Sequence, residues 1–178
     1  MYKLFLKPAL LVGFFAMISL SITKHVHAEE GAETVQTSSV NNTDTIRNLM
    51  NAWLTAYNSK DIDALMRLYS DKIYYANNGS NLQRNKSSIG ENYQQQFSAA
   101  PNTRIDFKEE LVSVNSGVGY IAGKYKVIIP ADDAATRYFF GRVLLIFEQN
   151  PNHSVGMDGW ELVVDFDNQG ADVSLDKF

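Results

Sequence analysis

The chemistry open to this chain is that of carboxylates and phenols. Its 178 residues include no Cys and three His, at positions 25, 27 and 153. A thiol nucleophile is therefore impossible, and a zinc site of the usual Cys/His kind has no ligand set. A Ser–His–Asp arrangement would need His153 to swing out of the polar, turn-rich link Asn150–Asp158, where it reads as a solvated loop residue. No glycine-rich phosphate cradle is present: Gly117-Val118-Gly119 sits at a turn into a strand, not ahead of a helix. The expectation is a protein with no metal and no cofactor.

Among the acids, Asp165 stands out, because it follows the apolar run Trp160–Val164. Alternation along a strand groups Trp160, Leu162, Val164 and Phe166 on one face and Glu161, Val163, Asp165 and Asp167 on the other. If the second face looks inward, Asp165 is a candidate catalytic acid or base with a raised pKa. Otherwise it is a rim carboxylate or an ion-pair partner of Arg142 or Arg137. Arg142 interrupts the apolar segment Gly141–Phe147, where an unpaired charge is costly. It either binds a ligand carboxylate or neutralises Asp165, whereas Arg137 reads as an edge residue. Trp53, Tyr57, Tyr75, Tyr93 and Tyr120 are candidate ligand-binding aromatics, with ordinary core packing as the competing reading. Tyrosine hydroxyls converging near Arg142 would make a polar anchor in an apolar pocket.

These groups must be positioned by helices first and strands after. Ile46, Leu49, Met50, Trp53 and Tyr57 recur in steps of three and four, one stripe of a helix starting near Asp44. Asn58-Ser59-Lys60 breaks it, and Asp61 can cap a second helix with the stripe Ile62, Leu65, Met66 and Tyr69. Lys72–Ala76 suits a strand, and a turn follows at 77–80. A third helix, opened by Ser87 or Ser88, runs through Phe97 and buries Ile89 and Tyr93. Beyond Pro101 the period changes to two. Strands are expected at Thr103–Asn115, Val118–Pro130, Thr136–Gln149 and Gly159–Asp167. Short turns between neighbours imply antiparallel pairing, and the order of elements implies an α+β fold. Several strands are bulky on both faces, so either the sheet curls around its own core or a second subunit covers its outer face. A homodimer is the expectation.

The ends set the address. Lys3 and Lys7 precede an apolar run from Ala9 to Ile22, and Val26-His27-Ala28 is a plausible cleavage site. Residues 1–28 read as a signal peptide, giving a periplasmic or secreted protein with no stable membrane insertion after cleavage. Residues 29–43 read as a flexible lead and 44–178 as a single domain. The whole chain carries a formal charge of −4. Loss of 1–28 takes Lys plus Arg from 16 to 13 against 20 acids, leaving −7. An acidic chain with no basic run is not built for nucleic acid.

Trp53-Leu-Thr-Ala-Tyr57-Asn-Ser-Lys-Asp61, then Leu65 and Leu68-Tyr69-Ser-Asp71, resembles the opening of the nuclear transport factor 2-like superfamily. Ser87–Phe97 resembles its third helix. Gly141–Phe147 and Asp158–Asp165 resemble its closing strand pair, most like the SnoaL-like and kinase-association-like branches. The likeness spans residues 44–168. It implies a cystatin-like α+β roll: a cone-shaped curved antiparallel sheet wrapped around the N-terminal helices, with an apolar pocket open at one end. It also implies that Asp165 stands where SnoaL-like relatives often carry His. In the steroid-isomerase branch a carboxylate base works with a phenol. The resemblance aligns that phenol with Trp53 and that base with Asn77, and neither residue can do the work. Members of the superfamily include isomerases, dehydratases, cyclases and non-catalytic modules, so fold does not settle function. Three readings stay open. The first is an exported protein that binds a small apolar or aromatic molecule. The second is an acid–base isomerase, dehydratase or cyclase using Asp165 with Tyr57 or Tyr93. The third is a homo-oligomeric interaction module.

Overall fold

A computed structural model describes residues 42–131, 135–150 and 159–178. The expected signal peptide, most of the expected flexible lead and His153 lie outside these residues. Three helices, α1 (Asn42–Ser59), α2 (Ile62–Leu68) and α3 (Lys86–Ala99), combine with five strands. The strands are β1 (Tyr69–Ala76), β2 (Arg104–Asn115), β3 (Val118–Ile129), β4 (Arg137–Gln149) and β5 (Trp160–Gln169). They form one curved sheet in the order β1-β5-β4-β3-β2. The fold is the expected α+β roll. Four strands run antiparallel, but β1 joins the edge parallel to β5, so the sheet is mixed. That pair brings together segments about ninety residues apart, which turn lengths between sequence neighbours cannot reveal.

The stripe of α1 lies in the core as its spacing requires: Ile46, Leu49, Met50, Trp53 and Tyr57 are all buried. The helix stops at Lys60, which takes a left-handed conformation at φ 65°. The Asp61 N–H closes the turn on the Ala56 carbonyl at 3.0 Å. Asp61 then accepts a hydrogen bond from the Ala64 N–H at 2.8 Å and starts α2. The α2 helix ends at Leu68, so Tyr69 opens β1 instead of extending the helical stripe. The α3 cap is Asn85, whose side chain accepts from the N–H groups of Ser87 and Ser88. Asn58 ties the end of α1 to β2. Its amide donates to the Ile105 carbonyl at 2.9 Å and accepts from the Ile105 N–H at 2.8 Å.

Two local features shape the inner face of the sheet. The first is a bulge in β5: Ile146 faces Val164 and Phe147 faces Leu162, leaving Val163 as the extra residue. The bulge resets the alternation, so Leu162 and Asp165 both point inward. Strict alternation, which groups Asp165 with Glu161 and Val163, fails at this point. The second feature is a pair of inward positions without side chains. A Cβ on Gly123 would lie 2.7 Å from the Phe107 ring, and one on Gly141 would lie 2.5 Å from Cζ of Tyr125. Both rings lie across the sheet because these residues are glycine.

Candidate functional site

The inward faces of β2 to β5 and the buried sides of α1 and α3 enclose a cavity of about 300 Å³. Its walls are largely apolar. Met50 and Leu54 come from α1, and Val127, Val143 and Leu145 from the sheet. Trp53, Tyr57, Tyr93, Phe107, Tyr125 and Phe139 supply aromatic surface. Trp53 stacks on Tyr57 at 5.3 Å, and Tyr93 meets Tyr57 edge-on at 6.0 Å.

Asp165 is the buried acid of this cavity, 5 % exposed. Tyr69, held between helix and sheet, donates its hydroxyl proton to Asp165 Oδ2 at 2.6 Å. The same phenol oxygen accepts from Trp53 Nε1 and lies 3.0 Å from the Tyr93 hydroxyl. With the Tyr69 proton engaged by Asp165, Tyr93 is the donor of that pair. Tyr69 is thus the hub joining α1, α3, β1 and β5. Among the described residues it is the sole hydrogen-bond partner of Asp165, which leaves Oδ1 uncommitted on the cavity side.

A second acid, Asp167, lies two residues along the same face. It accepts from the Asn78 N–H at 2.7 Å. The Asn77 amide, oriented by its neighbours, donates to Asp167 at 2.8 Å and accepts from the Tyr75 hydroxyl at 2.6 Å. The Tyr75 hydroxyl lies 3.4 Å from that of Tyr93, which joins the two acids into one polar strip.

Burial sets the electrostatics. It raises the Asp165 carboxyl to about 7; the Tyr69 hydrogen bond pulls down against it, and Asp167 adds to the rise. Burial also raises Asp167, against the pull of the Asn78 N–H. The phenols of Tyr69, Tyr75 and Tyr93 are all pushed upward, chiefly by burial, and Tyr57 goes up to about 12. At neutral pH the strip is therefore made of neutral donors around a carboxyl poised between its two protonation states. Such a group can accept or donate a hydrogen bond, or move a proton, near physiological pH. Among the described residues no three His, Cys, Asp or Glu side chains come together to hold a metal ion.

The six candidate ligand-binding residues separate cleanly. Trp53, Tyr57 and Tyr93 line the cavity beside Asp165. Tyr75 belongs to the hydrogen-bond strip but sits behind the wall. Two expectations are corrected. Tyr120 alternates with the inward Gly119 and Ile121, so its ring lies on the outer face of the sheet. Arg142 is also on the outer face. It pairs with Asp172 at 2.7 Å and with Glu110 at 3.1 Å, and it neither reaches Asp165 nor faces the cavity. Arg137 is exposed at the start of β4, a surface residue and not part of the cavity wall. Sequence reasoning missed Tyr69 because its spacing from Met66 fits a helix. It passed over Asn77, whose amide suits an orienting role. Tyr125 could have been found by counting inward positions from Ile121 in steps of two.

A family model described as a SnoaL-like domain matches residues 46–163. Among curated proteins, none matches the sequence. Solved structures share the fold at low identity. A cystatin-like domain of unknown function from Nostoc punctiforme is 17% identical with a TM-score of 0.62, covering 79% of this chain and 83% of its own. An NTF2-like superfamily protein from Salmonella enterica serovar Typhimurium is 16% identical with a TM-score of 0.61, covering 76% and 96%. A structure from Thiobacillus denitrificans, named for the calcium/calmodulin-dependent protein kinase type II association domain, is 13% identical with a TM-score of 0.58, covering 70% and 94%. Family match and fold agree with the helix pair, curved sheet and cavity described above: the chain belongs to the SnoaL-like domain family.

Proposed function

We propose that this protein is an exported pocket protein that binds a small, largely apolar or aromatic molecule through one polar group. One observation carries the reading. A cavity walled largely by aliphatic and aromatic side chains holds a buried carboxyl with a single hydrogen-bond partner among the described residues. Ligand sites usually combine an apolar wall with a few fixed polar groups in this way. At about 300 Å³ the space suits a molecule of one or two rings. Export rests on residues 1–28, and a homodimer rests on the apolar part of the outer sheet face.

Acid–base catalysis is the second reading. It is favoured by Asp165, whose carboxyl titrates near neutrality beside the phenols of Tyr69 and Tyr93. An isomerase, dehydratase or cyclase needs a group that both takes and returns a proton. The two readings part at Asp165→Asn. Native mass spectrometry of the protein purified from the exported fraction should show a stoichiometric small molecule, held more weakly by the variant because it loses the carboxylate. A substrate found this way should be turned over by the unaltered protein and not by the variant if Asp165 is catalytic. Recovery of an empty protein that takes up no apolar molecule would reject both readings.

A further inference from the structure

The charge of the cavity is one-sided. Asp165 and Asp167 both line it, and among the described residues no Lys, Arg or His does. Two basic residues on the surrounding elements are committed elsewhere. Arg142 is engaged on the outer face, and Lys60 donates to the carbonyls of Tyr57 and Thr103 at the end of α1. The donors that reach the two acids are neutral: the Tyr69 hydroxyl, the Asn77 amide and the Asn78 N–H. A buried carboxylate without a counter-charge is expensive, and a bound cation relieves that cost. Asp165 and Asp167 point the same way two residues apart on one strand, roughly 7 Å between their Cα atoms, so one head group can reach both. Around them stand the rings of Trp53, Tyr57, Tyr93 and Tyr125, whose faces attract cations.

Resting on the pocket reading above, we propose that the cavity selects a small organic cation: a monoammonium compound with an apolar or aromatic body. Its ammonium sits between Asp165 and Asp167, and its body lies against the aromatic wall. A carboxylate-bearing ligand meets two like charges and no partner. A neutral ligand gains the wall but leaves both acids uncompensated. The chain's formal charge of −4 draws cations toward the molecule before they enter.

The sign of the pH dependence follows from the groups facing Asp165. These are Tyr69 and Tyr75 from β1, Tyr93 from α3 and Asp167 from its own strand; α1 contributes the uncharged Trp53 and β4 the apolar Leu145. None is a base. An ammonium binds the ionised carboxyl, so at acid pH it must displace the Asp165 proton, and affinity rises with pH through about 7. A neutral hydrogen-bond acceptor shows the opposite trend, because it needs the protonated carboxyl as donor.

Calorimetric titration of the purified protein with three probes on one body tests this: phenethylamine, 2-phenylethanol and 3-phenylpropionate, with the cyclohexyl analogues alongside. At pH 8 the amine should bind at least tenfold tighter than the alcohol, and the acid weakest. The amine should weaken several-fold at pH 5.5. Asp165→Asn should bring the ratio of amine to alcohol affinity close to one, and Asp167→Asn should reduce that ratio, with melting curves confirming that both variants fold. Equal binding of amine and alcohol at pH 8, or an amine preference untouched in both variants, overturns the cation assignment and leaves the pocket reading standing. Failure of all the probes to bind a folded protein removes the pocket reading, and the cation assignment falls with it.

Discussion

Asp165 decides more about this molecule than any other residue, and its effect on stability has a definite sign. Its carboxyl is raised from the ordinary Asp range to about 7 in the folded protein. In the unfolded chain it titrates near 3.9. A raised acid contributes stability that is fully present below the unfolded value and is lost as pH rises through the folded one. The relevant window therefore runs from about pH 4 to about pH 7. A shift of this size corresponds to a loss on the order of 4 kcal/mol across it. Asp165→Asn keeps the shape and the Tyr69 contact but cannot ionise. The two proteins should melt alike at pH 4, and the variant should gain several degrees over the parent by pH 7.5. Thermal melts across that range check it. A constant difference between the two proteins would mean that Asp165 is not the buried titrating group.

At the scale of elements, helix stripes were legible and sheet faces were not. Ile46, Leu49, Met50, Trp53 and Tyr57 could be read as one buried face because nothing interrupts the period of α1. Strand periodicity predicts a face only until the first bulge, and Val163 breaks it three residues after β5 begins. That single residue turns Asp165 inward. A similar extra residue, Glu110 in β2, separates Glu109 opposite Gly123 from Leu111 opposite Ala122. The boundary between α2 and β1 was hidden for another reason: Ile62, Leu65, Met66 and Tyr69 fit a helix, yet the chain leaves it at Leu68. The curved sheet also depends on places where a side chain is missing. At Gly141 a Cβ would collide with the Tyr125 ring and with the Asn168 carbonyl of β5. Gly141→Ala must therefore move Tyr125 into the cavity or part β4 from β5. The expected result is a loss of roughly 1–3 kcal/mol in chemical denaturation, as for overpacked cores, together with weaker binding of any pocket ligand. Unchanged stability and binding would show that the sheet relaxes freely there.

At the scale of the whole molecule, the two faces of the sheet do different work. The inner face holds the cavity. Part of the outer face is occupied by the chain's own C-terminal segment. Arg142 grips Asp172 through both guanidinium nitrogens at 2.7 and 2.8 Å, which pulls that carboxyl down to about 2. Lys108 and Lys124 donate to the carbonyls of Phe178 and Lys177, and Val173 is buried. The sequence showed that Arg142 needs a partner. It could not show which one, because Asp172 follows the last strand in a segment without periodicity. This arrangement narrows where a second copy can dock. Beyond the strap, β4 presents Tyr138 and Phe140, whose rings stack at 6.3 Å, and Tyr138 is 41% exposed beside Ile128 of β3. Apolar surface of this kind usually has a partner. A twofold dimer places the same patch on both subunits, so a charge introduced there is felt twice. Light scattering on the eluting protein should therefore give a dimer mass, and Tyr138→Asp with Phe140→Asp should give a monomer that still binds pocket ligands. A dimer that survives both changes would put the interface elsewhere, and a monomer in the unaltered protein would leave the apolar end of the outer face without a second copy to cover it.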